Sequence, residues 1–131
     1  MSGAEWNDPR PMSPHLQVWR WHVTMATSIL HRGTGIALSA GMVLITGWLV
    51  ALAMGPEAYG GWEAVAGSVF GKLVLLGFCV AVCFHLVNGL RFLFWDAGKG
   101  FDPKFANLTA WAAIAFGALA GCAIFFFTIG F

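Results

Sequence analysis

The chain has 131 residues, of which 59% are apolar and 10% are charged, and its formal net charge is +1. Soluble domains carry about 25% charged residues, so this composition excludes a water-soluble monomer and a disordered segment, and it argues against an electrostatic binder of nucleic acid. The length allows a single domain.

The N-terminal segment differs in character from the rest of the chain. It carries Pro9, Pro11 and Pro14 and has no apolar core, so it predicts neither a regular helix nor a signal peptide. We interpret residues 1–23 as an arm on the cytoplasmic face, either ordered by itself or bound to a partner. Residues 24–131 are predicted to form a membrane anchor.

Three long uncharged runs follow the arm. They contain 24 residues after Arg32, 18 after Lys72 and 27 after Lys104. At about 1.5 Å of rise per helical residue the runs reach roughly 36, 27 and 40 Å, against a hydrocarbon core of about 30 Å. The pattern therefore predicts an all-α membrane protein with three transmembrane helices, near residues 24–53, 64–94 and 106–130. Lys72 would lie one to two turns inside the second helix, where its long stem can snorkel outward.

The basic residues gather on one side of the predicted helices. Six of the seven Lys and Arg residues lie in the arm, in the second loop or at the helix ends beside them: Arg10, Arg20, Arg32, Arg91, Lys99 and Lys104. The first loop, residues 54–63, carries only Glu57 and Glu63. By the positive-inside rule, we expect a cytoplasmic N-terminus and a periplasmic C-terminus in a bacterial inner membrane.

His85 is the only histidine deep within a predicted span. It precedes Arg91 by six residues, which places it roughly 9 Å further into the membrane. Its helical neighbours at i−4 and i+4, Ala81 and Gly89, are small and are expected to leave space for a flat macrocycle, with the ring nitrogen on its iron. Position alone leaves three interpretations open: a haem ligand, a hydrogen bond to a neighbouring helix, or part of a proton relay.

Ser28, His31 and Arg32 share one face of the first predicted helix, because they stand at positions i, i+3 and i+4. They offer a hydroxyl, an imidazole and a cation at the membrane boundary. This set suits the polar head of a membrane-soluble ligand or the propionates of a buried haem. The alternative is an arginine that reaches lipid phosphates beside an incidental serine.

The histidine count also bears on assembly. If His85 is a haem ligand, a low-spin b haem needs a second axial ligand, and His31 lies near the interface on a different helix from His85. The second ligand is therefore expected from another chain. Three helices also enclose too little surface to surround a haem, so the chain is predicted to be part of a hetero-oligomeric haem-binding bundle.

Three motifs, in order, resemble a known family. They are residues 10–19, residues 28–35, and residues 85–91 followed by Trp95-Asp96. Together they resemble the cytochrome b membrane-anchor subunits of succinate dehydrogenase, respiratory complex II, over nearly the whole chain. The last signature of that family usually has a histidine directly after the arginine. This chain has Phe92 there, so any role of that histidine is absent.

The resemblance implies an anchor that holds the flavoprotein and iron–sulfur subunits on the membrane and is not an enzyme on its own. It implies a b-type haem and a ubiquinone site, both shared with a second small membrane subunit. His85 matches the axial ligand of the haem iron, and His31 and Arg32 match contacts to the haem propionates. The residues that the resemblance assigns to the quinone site are Ser28, Arg32, Leu16 and Trp21.

Other classes of membrane protein remain as alternatives at this stage. A small transporter should show discontinuous helices or inverted repeats, and neither is visible. A haemless structural anchor is disfavoured by His85. The anchor of a fumarate reductase differs in physiological direction, which depends on cofactor potentials in the partner subunits.

Overall fold

The structure, a computed structural model, describes residues 19–130. Four helices follow one another in that part of the chain: α1 (Val23–Met54), α2 (Pro56–Ala66), α3 (Val69–Asp96) and α4 (Pro103–Thr128). The helices α1, α3 and α4 are long and apolar enough to cross a membrane, which confirms the predicted all-α fold with three spans. Most of the predicted arm, including Leu16, lies outside the described residues.

The first loop, predicted at residues 54–63, is largely helical. Residues 56–63 belong to the short helix α2. Gly55 has a φ of 105°, which favours glycine and ends α1. Pro56 then begins α2 at a position where its missing N–H costs no hydrogen bond. Two adjacent glycines, Gly60 and Gly61, lower the helix propensity of this segment, so the sequence pattern favours a loop.

The helix α3 begins later than the predicted span. The Ser68 hydroxyl accepts a hydrogen bond from the Gly71 N–H at 3.1 Å, and this N-terminal cap sets the start of the helix at Val69. Lys72 consequently lies in the first turn of α3, where the prediction placed it one to two turns inside. A cation so near the helix end has little hydrocarbon to cross before it reaches the interface.

The start of α4 is set by a similar local device. The Asp102 carboxylate accepts a hydrogen bond from the Phe105 N–H at 2.9 Å, and Pro103 occupies the first turn. At the end of α3 the Trp95 indole N–H donates to the carbonyl of Gly100, in the loop before α4, at 3.1 Å. This loop therefore places the start of α4 beside the end of α3, near the N-terminal part of α1.

Small residues bring α3 and α4 into close contact. A Cβ atom at Gly117 would lie 2.6 Å from the Cβ of Phe84, and one at Gly121 would overlap the backbone of Val80. Close backbone approach of this kind drives helix association in lipid, where the hydrophobic effect contributes little. Most large apolar side chains outside this contact are exposed on the bundle surface, as expected where lipid or partner subunits cover them.

We expect Gly121→Val to weaken the packing of α4 on α3. The added atoms meet the α3 backbone, and overpacking of this kind typically costs about 1–3 kcal/mol. The unfolding temperature of the purified complex should fall, whereas Gly77→Val on α3 should have a smaller effect, because no atom lies within 4 Å of a Cβ there. An unchanged unfolding temperature for Gly121→Val would contradict this α3–α4 contact.

Candidate functional site

Arg91 lies inside the bundle, at the end where α1, α3 and α4 meet. It is only 8% exposed, although the charge pattern treats it as a boundary residue. Its Nε donates to the Thr109 hydroxyl at 3.1 Å, its Nη1 to the Thr27 hydroxyl at 3.3 Å, and its Nη2 to the Ala106 carbonyl at 3.1 Å. The guanidinium also lies 4.1 Å above the ring of Trp95. Arg91 therefore joins three helices through neutral acceptors, which offset the cost of burying its charge.

Asn88 completes this polar cluster. Its side chain is fully buried, with Oδ1 accepting from Arg91 at 3.2 Å and Nδ2 lying 3.5 Å from the Thr27 carbonyl. Buried polar groups in lipid need partners inside the protein. The cluster therefore holds α1 in one position against α3, and with it the side chains further along both helices.

His31 of α1 and His85 of α3 stack face to face. Their ring centroids are 3.8 Å apart and the planes are inclined by 13°. Glycines allow the approach, since a Cβ at Gly35 would lie 3.3 Å from the His85 ring and one at Gly89 would lie 3.6 Å from the His31 ring. The open space expected beside Gly89 is thus filled by His31, and Ala81, the other small neighbour, is buried in the bundle.

The hydroxyl of Thr34, on α1, lies within hydrogen-bond distance of the Nδ1 of His85. The Thr34 Oγ1 lies 3.1 Å from the His85 Nδ1. Of the three interpretations that position left open, a contact to a neighbouring helix is therefore present, and it uses Nδ1. Within residues 19–130 no hydrogen bond reaches Nε2, so that nitrogen remains available to a ligand of its own.

One ring nitrogen of His31 is buried and unsatisfied among the described residues. Its Nδ1 is shielded from solvent and has no hydrogen-bond partner among the described residues. Phe92 packs its edge on the His31 ring at 4.9 Å, with the planes at 84°, so this neighbour contributes no polar atom. An unsatisfied buried polar atom costs about 1–3 kcal/mol, so a partner outside residues 19–130 would stabilise this arrangement.

Ser28 and Arg32 lie together at the edge of the histidine pair. The Arg32 Nη2 is 3.5 Å from the Ser28 hydroxyl and its Nε is 3.4 Å from the Ser28 carbonyl. Both contacts are long for hydrogen bonds, and Arg32 is exposed. The predicted face of α1 is therefore present, with donors directed to a surface that lipid, ligand or partner can reach.

The remaining predicted site residues are less well placed. Trp21 precedes α1, is 59% exposed, and packs edge to face on Trp19 with centroids 5.7 Å apart. Leu16 lies outside the described part of the chain. The structure thus brings together Ser28, His31, Arg32 and His85. Trp21 instead contacts Trp19, which lies two residues before it.

Sequence reasoning missed two features of this site. Thr34 follows His31 by three residues on the same helix face, a signal that could have included it in the cluster with Ser28. The burial of Arg91 had no such signal, because its partners Thr27 and Thr109 belong to other helices.

Comparisons with known proteins bear on this arrangement. The family described as "Succinate dehydrogenase/Fumarate reductase transmembrane subunit" matches residues 7–126. The succinate dehydrogenase cytochrome b556 subunit of Paracoccus denitrificans is 47% identical over 106 residues, which cover 81% of this chain and 82% of that protein. The subunit of the same name from Rickettsia prowazekii is 36% identical over 105 residues, covering 80% and 82%.

A mitochondrial relative extends the comparison. The succinate dehydrogenase cytochrome b560 subunit of Sus scrofa is 42% identical over 95 residues, which cover 70% of this chain and 55% of that protein. These names describe a cytochrome b membrane subunit of the complex, in agreement with the expectation that the chain is not an enzyme on its own. With its three apolar helices and its match over residues 7–126, the chain belongs to the family of succinate dehydrogenase and fumarate reductase transmembrane subunits.

Proposed function

We propose that this chain anchors the flavoprotein and iron–sulfur subunits of a succinate dehydrogenase on a bacterial inner membrane. In this proposal it co-ligates a b-type haem with a second small membrane subunit and forms part of a ubiquinone-reduction site. The observation that carries the proposal is the stacked pair of His31 and His85 beside Ser28 and Arg32, at one end of the bundle.

The contact between Thr34 and His85 fits a haem ligand, although His31 fills the space expected beside Gly89. Histidines that bind metals usually donate their other ring N–H to an oxygen, and here Thr34 stands 3.1 Å from Nδ1, so Nε2 would hold the iron. When bound, a b haem supplies a reversible one-electron carrier. The chain's own part is to hold one imidazole in place and to shield it with the neighbouring helix.

The second ligand of that haem is proposed to come from another chain. His31 would not supply that ligand, because the rings of His31 and His85 are only 3.8 Å apart and nearly parallel. A macrocycle has no room between them. This geometry supports the sharing of the haem with a second membrane subunit.

His31 and Arg32 suit the propionates of that haem. The buried Nδ1 of His31 has no partner among the described residues. Arg32, the next residue of α1, carries an exposed guanidinium. A carboxylate accepts strong charge-assisted hydrogen bonds from such donors. In this proposal a propionate accepts from Arg32 and lies beside His31.

Ser28 and Arg32 are proposed to bind the head of ubiquinone, with Leu16 and Trp21 helping to wall the pocket. Both donors lie near the N-terminal end of α1, directly after the segment with Arg20 and His22. An iron–sulfur subunit docked on this side could pass electrons to a quinone held there. The arginine charge stabilises negative charge on the quinone oxygens before protons arrive.

The names of the relatives bear on the direction of the reaction. The family description covers both succinate dehydrogenases and fumarate reductases, whereas the bacterial and mitochondrial relatives described above are named for succinate dehydrogenase. These names favour succinate oxidation. A fumarate reductase anchor is the alternative, and a complex that reduces fumarate faster than it oxidises succinate would favour it.

Optical spectroscopy tests the proposal directly. The reduced-minus-oxidised spectrum of the purified complex should show the bands of a low-spin b haem. Succinate should reduce part of that haem through the partner subunits, and ubiquinone should reoxidise it. A fully assembled complex without such bands would contradict the haem assignment and favour a structural anchor.

Reporter fusions test the proposed orientation. Arg20, Lys99 and Lys104 lie at the same end of the bundle as the histidine pair, while α2, with its two glutamates, lies at the other end. A fusion after Phe131 should report the periplasm, and one in the loop at Gly98 should report the cytoplasm. Cytoplasmic activity of the C-terminal fusion would contradict three spans with a cytoplasmic N-terminus.

A further inference from the structure

We propose that Thr34 is a positioning residue for His85, whose hydroxyl accepts the Nδ1–H and so selects the tautomer that leaves Nε2 bare. The inference rests on the proposed ligation of haem by His85. It assigns to Thr34 a role in the chemistry of the iron, although the side chain would never touch the haem.

The hydroxyl proton of Thr34 is committed within its own helix. Its Oγ1 lies 2.8 Å from the Leu30 carbonyl and 3.0 Å from the His31 carbonyl, and a hydroxyl has one proton to donate. The oxygen therefore presents a lone pair to the His85 Nδ1, 3.1 Å away. If Nδ1 also carried a lone pair, it would repel the lone pair of the Thr34 oxygen. The ring proton is therefore placed on Nδ1.

The tautomer decides which nitrogen can bind a metal. A neutral imidazole carries its proton on one ring nitrogen and a lone pair on the other. With the proton on Nδ1, the lone pair is on Nε2, which no hydrogen bond reaches within residues 19–130. Without the hydroxyl of Thr34, nothing in this part of the chain fixes that choice.

The surroundings also restrain the rotation of the ring. The His31 ring covers one face of His85 at 3.8 Å. The close approach of α1 at Gly35, where a Cβ would lie 3.3 Å from the ring, leaves no room for a larger side chain. The bond from Thr34 then sets the ring in one orientation within this narrow space.

Loss of this bond should alter the haem rather than remove it. Donation of Nδ1–H to an oxygen raises the basicity of the ligand nitrogen and so favours ferric iron. Thr34→Val removes the hydroxyl and keeps the shape. We expect a more positive midpoint potential, shifted electron paramagnetic resonance g-values, and a haem affinity lower by about tenfold or more.

Thr46→Val is a matched control. Thr46 lies on the same helix, and its hydroxyl donates to the Met42 carbonyl at 2.8 Å, as that of Thr34 does to Leu30. This variant should keep the wild-type potential and g-values. Thr34→Ser, which retains the hydroxyl, should also stay close to wild type, and Thr34→Ala replaces Thr34→Val if the valine variant does not assemble.

The outcomes separate this inference from the proposed function. Thr34→Val and Thr34→Ala with the potential and g-values of the wild type would overturn the role of Thr34, as would equal shifts in Thr34→Val and Thr46→Val. A wild-type complex without haem, or a His85→Leu complex with an unchanged spectrum, would instead overturn haem ligation by His85. A shift confined to the variants without a Thr34 hydroxyl supports the inference.

Discussion

His85→Leu is expected to abolish the low-spin b-haem spectrum of the assembled complex. The Nε2 of His85 is the ring nitrogen left without a partner in the described part of the chain, and the Nδ1 is held by Thr34 at 3.1 Å. Leucine fills a similar volume but supplies no lone pair, so the iron of the proposed haem would lose one ligand. The remaining haem, if retained, should be high-spin.

The histidine stacked on His85 provides the matched comparison. His31→Leu removes an imidazole from the same 3.8 Å stack but leaves the proposed ligand intact. It should keep a low-spin spectrum, with a changed midpoint potential because a proposed propionate partner is lost. Measurement of both variants by optical and electron paramagnetic resonance spectroscopy distinguishes loss of a ligand from loss of a neighbour.

Assembly needs its own control, because haem can help to hold the two membrane subunits together. His85→Ala leaves a cavity that free imidazole can enter, so added imidazole should restore low-spin bands and subunit association. An assembled His85→Leu complex with an unchanged low-spin spectrum would show that another residue binds the iron.

Ser28→Ala and Arg32→Leu are expected to lower the rate of ubiquinone reduction by succinate by about 10²–10³-fold, as does loss of one donor from a preorganised site. Quinone reduction places negative charge on carbonyl oxygens. The Arg32 guanidinium, a cation throughout the working pH range, would stabilise that charge, and the Ser28 hydroxyl would orient the ring. Succinate oxidation by an artificial dye at the soluble subunits should remain near normal.

Ser39→Ala is the control for these variants. Ser39 is exposed on the same helix, and its hydroxyl donates to the Gly35 carbonyl at 2.9 Å, so its loss should leave quinone turnover unchanged. Ser28→Ala is the cleaner of the two site variants, because Arg32→Leu also removes a proposed propionate contact. Full quinone turnover and unchanged inhibitor affinity in Ser28→Ala would show that Ser28 does not serve the quinone.

The number of spans could be read from the sequence, because charge inside hydrocarbon is costly enough to exclude other arrangements of the uncharged runs. The ends of the helices could not, since single residues set them. Ser68 and Asp102 cap α3 and α4 through their side chains. The Gly55-Pro56 pair begins the helix α2, which the sequence pattern does not predict because the local helix propensity is low.

The site divides in the same way between local and distant contacts. Ser28 and Arg32 are neighbours because a helix brings i and i+4 together, so the sequence by itself determined that pair. The stack of His31 on His85, the hydroxyl of Thr34 at Nδ1 and the burial of Arg91 depend on how closely α1 approaches α3. That distance is set by Gly35 and Gly89 at the crossing and by polar groups buried between helices, so only the tertiary structure decided it.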